Sequence, residues 1–205
     1  MRFDAEDRHF FSPAGEIEPR GPASGRSNGD PSMSDLTHLP RIGFKGRDAP
    51  DWLEARGCRL PGEPNLAARQ DDGALIVALS WEEHLVLSDP DALSTLCGDL
   101  EQAWELDEQR LCYPVPRRHS HAWFAASGSG APGVLAKLCG IDLRPGQFAE
   151  GRAAQTFVAG LSAIVIRHDH VIRPAFQILT DSASAEFLWH CLVDAMREPD
   201  ASMSG

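Results

Sequence analysis

Alternating apolar and polar side chains mark the first structured segment of the chain. Ile42 and Phe44 alternate with polar or small residues, which predicts a half-buried strand that Gly46 ends. Apolar residues at helical spacing within 49–53 then predict a short helix. The continuous apolar runs 74–79 and 85–87 are too short for helices and predict a hairpin, with His84 in its turn.

The second half of the chain repeats this order. We expect a strand from about His121, a helix over 131–138, and strands over 156–158, 162–167 and 175–179. Gly46 and Gly128 occupy matching places between the first strand and the first helix of each half. These correspondences favour an internal duplication.

Two amphipathic helices give the strongest support for duplication. An apolar face follows Asp89, and an equivalent face follows Asp181 about 92 residues later. The matching positions are Leu93, Leu96, Cys97, Leu100, Ala103 and Trp104, and then Ala185, Leu188, Trp189, Leu192, Ala195 and Met196. Each half therefore reads strand, helix, strand, strand, helix. We predict an α+β fold made of two ferredoxin-like pseudo-repeats, with both helices of a half covering one sheet face.

Domain limits follow from composition. Residues 1–34 are rich in Gly, Pro and Ser and are predicted to be a disordered tail, with 198–205 as a polar C-terminal tail. One domain is expected over 35–197, with halves of about 35–108 and 116–197. Met33 directly precedes the structured pattern, so we hypothesise that it is the true initiator.

Charge narrows the classes of partner. The formal net charge of -11 argues against binding to nucleic acid or to anionic membrane surfaces, which need clustered Lys and Arg. The sequence has no apolar run of transmembrane length, so we expect a cytoplasmic protein. Five widely spaced cysteines are expected to be reduced, and four of them are expected to be small core residues. The His-x-His pairs at 119/121 and 168/170 lack further ligands at metal-binding spacing, and no metal is expected.

Few residues suggest chemistry. Asp71 and Asp72 form an acidic pair that either holds an amine or acts as a base, or simply belongs to a turn before Gly73. Arg167 closes an apolar strand, where it either clamps a carboxylate or is solvated.

Other candidates for ligand or partner contacts are Gln155 and Thr156 on the preceding segment and Trp123. Trp123 opens a stretch to Pro145 that we expect to be structural and partner-facing. No catalytic residue is predicted in that stretch.

Two motifs carry a family resemblance over about residues 35–197. Asp35-Leu-Thr-His-x-x-Arg41-Ile-x-Phe-x-Gly46-x-Asp48-Ala-x-x-x-Leu53 resembles the opening of the glycine-cleavage aminomethyltransferases. The second half resembles the gamma subunits of heterotetrameric sarcosine oxidases. The residues that carry this second likeness are Ser120-His-Ala-Trp123, Gly128, Leu135, Lys137-Leu-Cys139, Ile141-Asp-Leu143, Phe148, Gly151, Ala154-Gln-Thr156, Ile166-Arg167 and Ala183-Ser-Ala185.

The resemblance implies an aminomethyltransferase-like domain that serves as a small noncatalytic subunit of a flavin-dependent oxidase of N-methylated amino acids. Its partners would be larger flavoprotein subunits, and FAD, FMN, NAD and tetrahydrofolate would be bound on those subunits rather than on this chain. Asp71 and Asp72 lie two residues before the place of the transferases' acidic pair, which argues against aminomethyl transfer. The alternative is a stand-alone protein that binds tetrahydrofolate or transfers one-carbon units.

Overall fold

The computed structural model describes residues 31–90, 94–169 and 174–197. These residues form ten strands and four α-helices. The strands are β1 (Ser32–Asp35), β2 (Arg41–Lys45), β3 (Leu66–Arg69), β4 (Leu75–Ser80), β5 (Glu83–Leu87), β6 (Tyr113–Pro116), β7 (His121–Ser127), β8 (Ala153–Val158), β9 (Leu161–Arg167) and β10 (Ala175–Asp181). The helices are α1 (Ala49–Glu54), α2 (Leu96–Ala103), α3 (Ala131–Ala136) and α4 (Ala185–Arg197), and a 3-10 turn, Ser182–Ser184, precedes α4.

The strands form two five-stranded antiparallel sheets. The first sheet has the order β3-β4-β5-β2-β6, and the second has the order β8-β9-β10-β7-β1. The fifth strands differ in origin: β6 follows α2 and completes the first sheet, whereas β1 precedes β2 and completes the second. The beginning of the described chain is therefore an edge of the second sheet.

This arrangement corrects two details of the sequence analysis. Because β1 begins at Ser32 and pairs Met33 with Ala126, ordered structure begins inside the range 1–34 that was predicted as a disordered tail. Three strands, not two, lie between the helices of the first half, because β3 was missed. Residues 1–30 and 198–205, which include most of the predicted N-terminal tail and all of the predicted C-terminal tail, lie outside the described residues. The pseudo-repeat interpretation stays a prediction.

Three apolar clusters hold the layers together. Helices α1 and α2 pack on the outer face of the first sheet through Trp52, Leu53 and Leu100. Helices α3 and α4 cover the outer face of the second sheet. The inner faces of the two sheets meet in a third cluster that includes Leu85 and Trp123. The inner strands β4 and β5 therefore bury both faces, which explains why the runs 75–79 and 84–87 are continuously buried.

Two matching turns connect the first strand and first helix of each half. Gly46 has φ 132° and Gly128 has φ 104°, a region that L side chains rarely adopt. The carbonyl of Gly46 accepts from the N–H of Ala49, and the carbonyl of Gly128 accepts from Ala131, each at 3.0 Å. These two glycines are therefore required by the turn from strand to helix.

Two further predictions need correction or qualification. His84 lies within β5 and is buried, because the hairpin turn is formed by residues 81–82 rather than by 80–84. Helix α2 begins at Leu96, seven residues after Asp89, and residues 91–93 lie outside the described part of the chain. No helix within the described residues has the length and apolar character needed to cross a membrane.

Candidate functional site

Trp123 lies in the layer between the sheets and not on the surface. Its side chain is only 1% exposed, and its indole Nε1 donates to Oε1 of Gln177 at 2.8 Å. Its backbone carbonyl accepts from the N–H of Leu36 at 2.8 Å, and its N–H donates to Oγ1 of Thr37 at 3.0 Å. In this structure Trp123 therefore anchors the segment after β1 and cannot contact a surface ligand.

Arg41, which ends the Asp35-Leu-Thr-His-x-x-Arg41 motif but was not a candidate site residue, has a buried guanidinium beside this segment. It donates to the carbonyl oxygens of Thr37 and Leu39 at 2.8 Å each, to that of Arg118 at 2.7 Å, and to that of His121. Burial, and secondarily the charge of Arg118, lowers the pKa of Arg41 to about 10. The Asp-Leu-Thr-His-x-x-Arg motif thus has a structural function, since it locks the N-terminal segment to the connection between the two halves.

The acidic pair lies in a surface turn between β3 and β4. Asp72 accepts from the N–H of Ala74 at 3.1 Å through Oδ1 and from the hydroxyl of Ser94 at 2.6 Å through Oδ2. Asp71 forms an exposed ion pair with Arg59 at 2.8 Å. Both carboxylates thus have local partners, and neither points into the layer between the sheets. This geometry is that of an Asp-rich turn.

Gln155 and Thr156 lie on β8, where the edges of the two sheets meet. Gln155 is exposed, and its Nε2 donates to the carbonyl of Leu79 in β4 at 2.7 Å. Just before it, Ala153 N–H donates to Asn65 O at 2.8 Å, which also links the two sheets. Thr156 is half-buried and pairs with Ala163. Gln155 therefore acts as a link between sheets in this structure.

Arg167 is not a solvated strand end. The residue is only 7% exposed, and its Nε and Nη2 donate to the two carboxylate oxygens of Asp169 at 2.9 and 2.5 Å. Its Nη1 donates to the carbonyls of Phe148 at 2.6 Å and Pro145 at 3.2 Å. The bond to Asp169 raises the pKa of Arg167 above its ordinary value. Arg167 does bind a carboxylate, but that carboxylate belongs to Asp169 of the same chain.

A polar network closes one end of the inter-sheet layer. Arg117 donates to Oε1 of Glu83 at 2.5 Å and contacts Nε2 of His121 at 3.1 Å. The other ring nitrogen of His121, Nδ1, lies 2.9 Å from the hydroxyl of Ser120, which donates to the carbonyl of Pro116. Glu83 also binds Lys45 at 2.8 Å. These residues connect strands of both sheets.

This network holds His121 in a neutral form that is unsuited to activating Ser120. A guanidinium has only donors, so Nε2 must accept and Nδ1 carries the hydrogen that points at Ser120. Burial, followed by the charges of Arg117 and Arg41, lowers the pKa of His121 to about 4. A general base needs its unprotonated nitrogen to face the nucleophile. The hydrogen bonds of His121 therefore connect the two sheets and do not activate Ser120.

Other site types have little support in the described residues. They contain no group of three or more His, Cys, Asp or Glu side chains placed to hold a metal ion. An open depression of about 450 Å³ lies beside the end of α2, and its lining includes Arg56, Leu106, Glu108 and Arg110. None of the candidate residues from the sequence analysis lines it. Sequence reasoning missed the roles of Arg41 and Arg117, because their partners are backbone carbonyls or side chains on strands distant in the sequence.

Comparison with known proteins identifies the fold. No family model matches the chain. An aminomethyltransferase of Streptomyces avermitilis is 29% identical over 126 residues, which are 62% of this chain and 30% of that protein. The chain thus spans less than a third of that relative's length.

Two solved structures extend the comparison. One chain of the heterotetrameric sarcosine oxidase from Corynebacterium sp. U-96, solved with pyrrole 2-carboxylate, matches with a TM-score of 0.69 and 22% identity, over 96% of this chain and 99% of that chain. The glycine cleavage system aminomethyltransferase T from Bartonella henselae matches with a TM-score of 0.57 and 14% identity, over 80% of this chain and 46% of that chain. The predicted α+β, aminomethyltransferase-like fold is confirmed.

Proposed function

On the basis of this aminomethyltransferase-like fold, we propose that the chain is a small noncatalytic subunit of a flavin-dependent, sarcosine oxidase-type complex that oxidises N-methylated amino acids. The observation that carries the proposal is the extent of the structural match. The similarity covers nearly the whole of both chains in the sarcosine oxidase comparison, but less than half of the glycine-cleavage transferase. This difference in coverage supports a role as an oxidase-type subunit over that of a transferase.

The arrangement of polar groups supports a noncatalytic role. Asp71 and Asp72 are engaged in a turn, and Asp169 occupies the Arg167 clamp. The space between the sheets is filled by Trp123, Leu85 and other buried apolar side chains. A catalytic carboxylate must lie within hydrogen-bond reach of the proton it moves, and the acidic pair is held at the surface instead.

The remaining features of the proposal follow from this role. The cofactors FAD, FMN, NAD and tetrahydrofolate would be bound by larger flavoprotein partner subunits in the cytoplasm, and this chain would bind none of them. We also propose that its halves derive from a duplicated unit, which the matching turns at Gly46 and Gly128 support.

The test is to express the tagged full-length chain in its native host and to assay the captured material. We expect larger flavin-containing subunits to be captured and sarcosine or a related N-methylated amino acid to drive oxygen consumption. The isolated chain, prepared in a heterologous host, is the control and should contain no flavin. Capture of the chain without any flavoprotein would refute the proposal.

The alternative function, a stand-alone tetrahydrofolate-binding or one-carbon transfer protein, is favoured by the 29% identity to an aminomethyltransferase. Calorimetric titration of the isolated chain with tetrahydrofolate distinguishes the two. Binding that is lost in a D71N/D72N variant with unchanged melting temperature would favour the alternative.

A further inference from the structure

Exposed apolar side chains collect at one end of the first sheet. Among the described residues six large apolar side chains are exposed, and four of them lie at this end. They are Trp81 (69% exposed), Phe157 (65%), Tyr113 (45%) and Leu111 (40%). We call these four residues the aromatic end.

Strand register places Trp81 and Tyr113 on the same edge. Ser80 pairs with Glu83, Glu83 with Lys45, and Lys45 with Tyr113, so one row crosses four strands. Neighbouring strands are about 4.8 Å apart, so the backbones of Ser80 and Tyr113 are separated by roughly 14 Å. Trp81 follows Ser80 directly in the hairpin turn.

Phe157 and Leu111 extend this surface on either side. Gln155 in β8 binds the carbonyl of Leu79 in β4, and Phe157 projects from the same side of β8 two residues further on. This places Phe157 next to the hairpin turn that contains Trp81. On the other side, the carbonyl of Leu111 accepts from the N–H of Asp48 at 3.0 Å, which fixes Leu111 beside the end of β2.

The exposed area of the aromatic end is large enough to contribute to an interface. With side-chain areas of about 150–250 Å², the exposed fractions sum to roughly 400 Å², and the Lys45–Glu83 ion pair lies between Trp81 and Tyr113. The largest apolar patch on a typical monomer is of similar size and often has a function. A standard interface buries about 800 Å² on each partner, so the aromatic end would supply the apolar centre of one.

The neighbouring charges indicate what kind of partner fits. Lys45 is paired with Glu83, and Arg47 with Asp48, within the chain. The exposed Glu82 at the hairpin tip has no ion pair among the described residues. The chain as a whole carries a formal charge of -11, so contact between two copies is electrostatically unfavourable. A different protein, neutral or basic at its rim, is therefore the favoured occupant.

The adjacent edge strand determines the mode of contact. β6 contains Pro114 and Pro116, which have no N–H to donate and so oppose the addition of a further strand. A partner would instead accept the aromatic side chains in apolar pockets.

We propose that the aromatic end is the docking surface through which this chain joins a larger flavoprotein subunit, whose apolar pockets accept Trp81 and Phe157 and whose basic rim faces Glu82. This inference rests on the proposed function and adds to it the surface that is used. Exposed tryptophans at the centre of an interface are frequent hot spots.

The experiment compares three versions of the tagged full-length chain in the native host. W81S/F157S removes the two most exposed aromatic groups of the aromatic end, and F187S removes the exposed Phe187 of α4 as a matched control. Circular dichroism and thermal melting verify that all three are folded. We expect W81S/F157S to bind the captured flavoprotein subunits at least about 30-fold more weakly than the wild type, and F187S to bind as the wild type does.

Each contrary result has a distinct meaning. Capture of flavoprotein subunits by W81S/F157S at wild-type affinity would overturn the docking surface but leave the proposed function intact. If the wild-type chain captures no flavoprotein, the proposed function is refuted, and so is the proposal that a flavoprotein subunit covers the aromatic end. Self-association of the purified wild type that is abolished in W81S/F157S would show that a second copy, not a flavoprotein, covers the surface.

Discussion

Replacement of Arg167 by methionine tests whether this residue is a structural clamp or a free contact for ligands. The substitution removes both bonds to the Asp169 carboxylate and those to the carbonyls of Pro145 and Phe148. Removing one partner of a buried ion pair costs about 3–5 kcal/mol. The side chain of Asp169 remains 24% exposed, so we expect the lower value, about 3 kcal/mol. For a urea m-value of about 2 kcal/mol/M, the unfolding midpoint should fall by roughly 1.5 M.

The chain contains a matched control for this experiment. Arg144 forms a similar two-pronged contact with Asp142, but its side chain is 76% exposed. The R144M variant should therefore unfold at nearly the wild-type urea concentration, because solvent screens the lost pair. If R167M also unfolded at the wild-type midpoint, Arg167 would not be a structural clamp, and a role in ligand or partner contact would regain support.

Other predictions concern the turns and the polar network. G46A should lower the free energy of unfolding in urea by at least about 3 kcal/mol, because an added Cβ would lie 2.1 Å from the carbonyl oxygen of Leu111. At Gly57, which has φ +79°, an added Cβ would meet no atom within 4 Å, so G57A should cost only about 1–2 kcal/mol. Equal losses in the two variants would contradict the turn geometry. The pKa of His121 is lowered in the folded state to about 4, so the stability it contributes is complete above pH 6.5 and is lost as the pH falls towards 4. After allowance for partial solvent exposure we expect a loss of about 1–2 kcal/mol over this range, and H121Q should lack that part of the pH dependence. D72A should cost about 1 kcal/mol through loss of the bonds to Ala74 and Ser94, and a much larger effect would indicate a different role for this carboxylate.

The sequence predicted those features that depend on residues close together in the chain. The apolar face of α4 and the turns at Gly46 and Gly128 follow from spacing and backbone conformation within a few residues. β1 and β6 were not predicted, because each is stabilised by a strand distant in the sequence and has little apolar alternation of its own.

The roles of the candidate residues depended on burial, which one strand cannot reveal. The sequence around Trp123 or Arg167 is the same whether a second layer of structure covers the side chain or solvent does, so it cannot show whether either residue is buried. The second sheet buries Trp123, and the segment 145–148 together with Asp169 encloses Arg167. Arg41 was missed because its partners are backbone carbonyls, which carry no sequence signal.

Native mass spectrometry of the endogenous protein, purified from its own host without dissociation, is the decisive test of the proposed subunit role. We expect a heteromer in which this chain accompanies larger subunits that carry the flavin, with no cofactor mass on the chain when it is released. An endogenous protein found only as the free chain, or carrying tetrahydrofolate by itself, would refute that role.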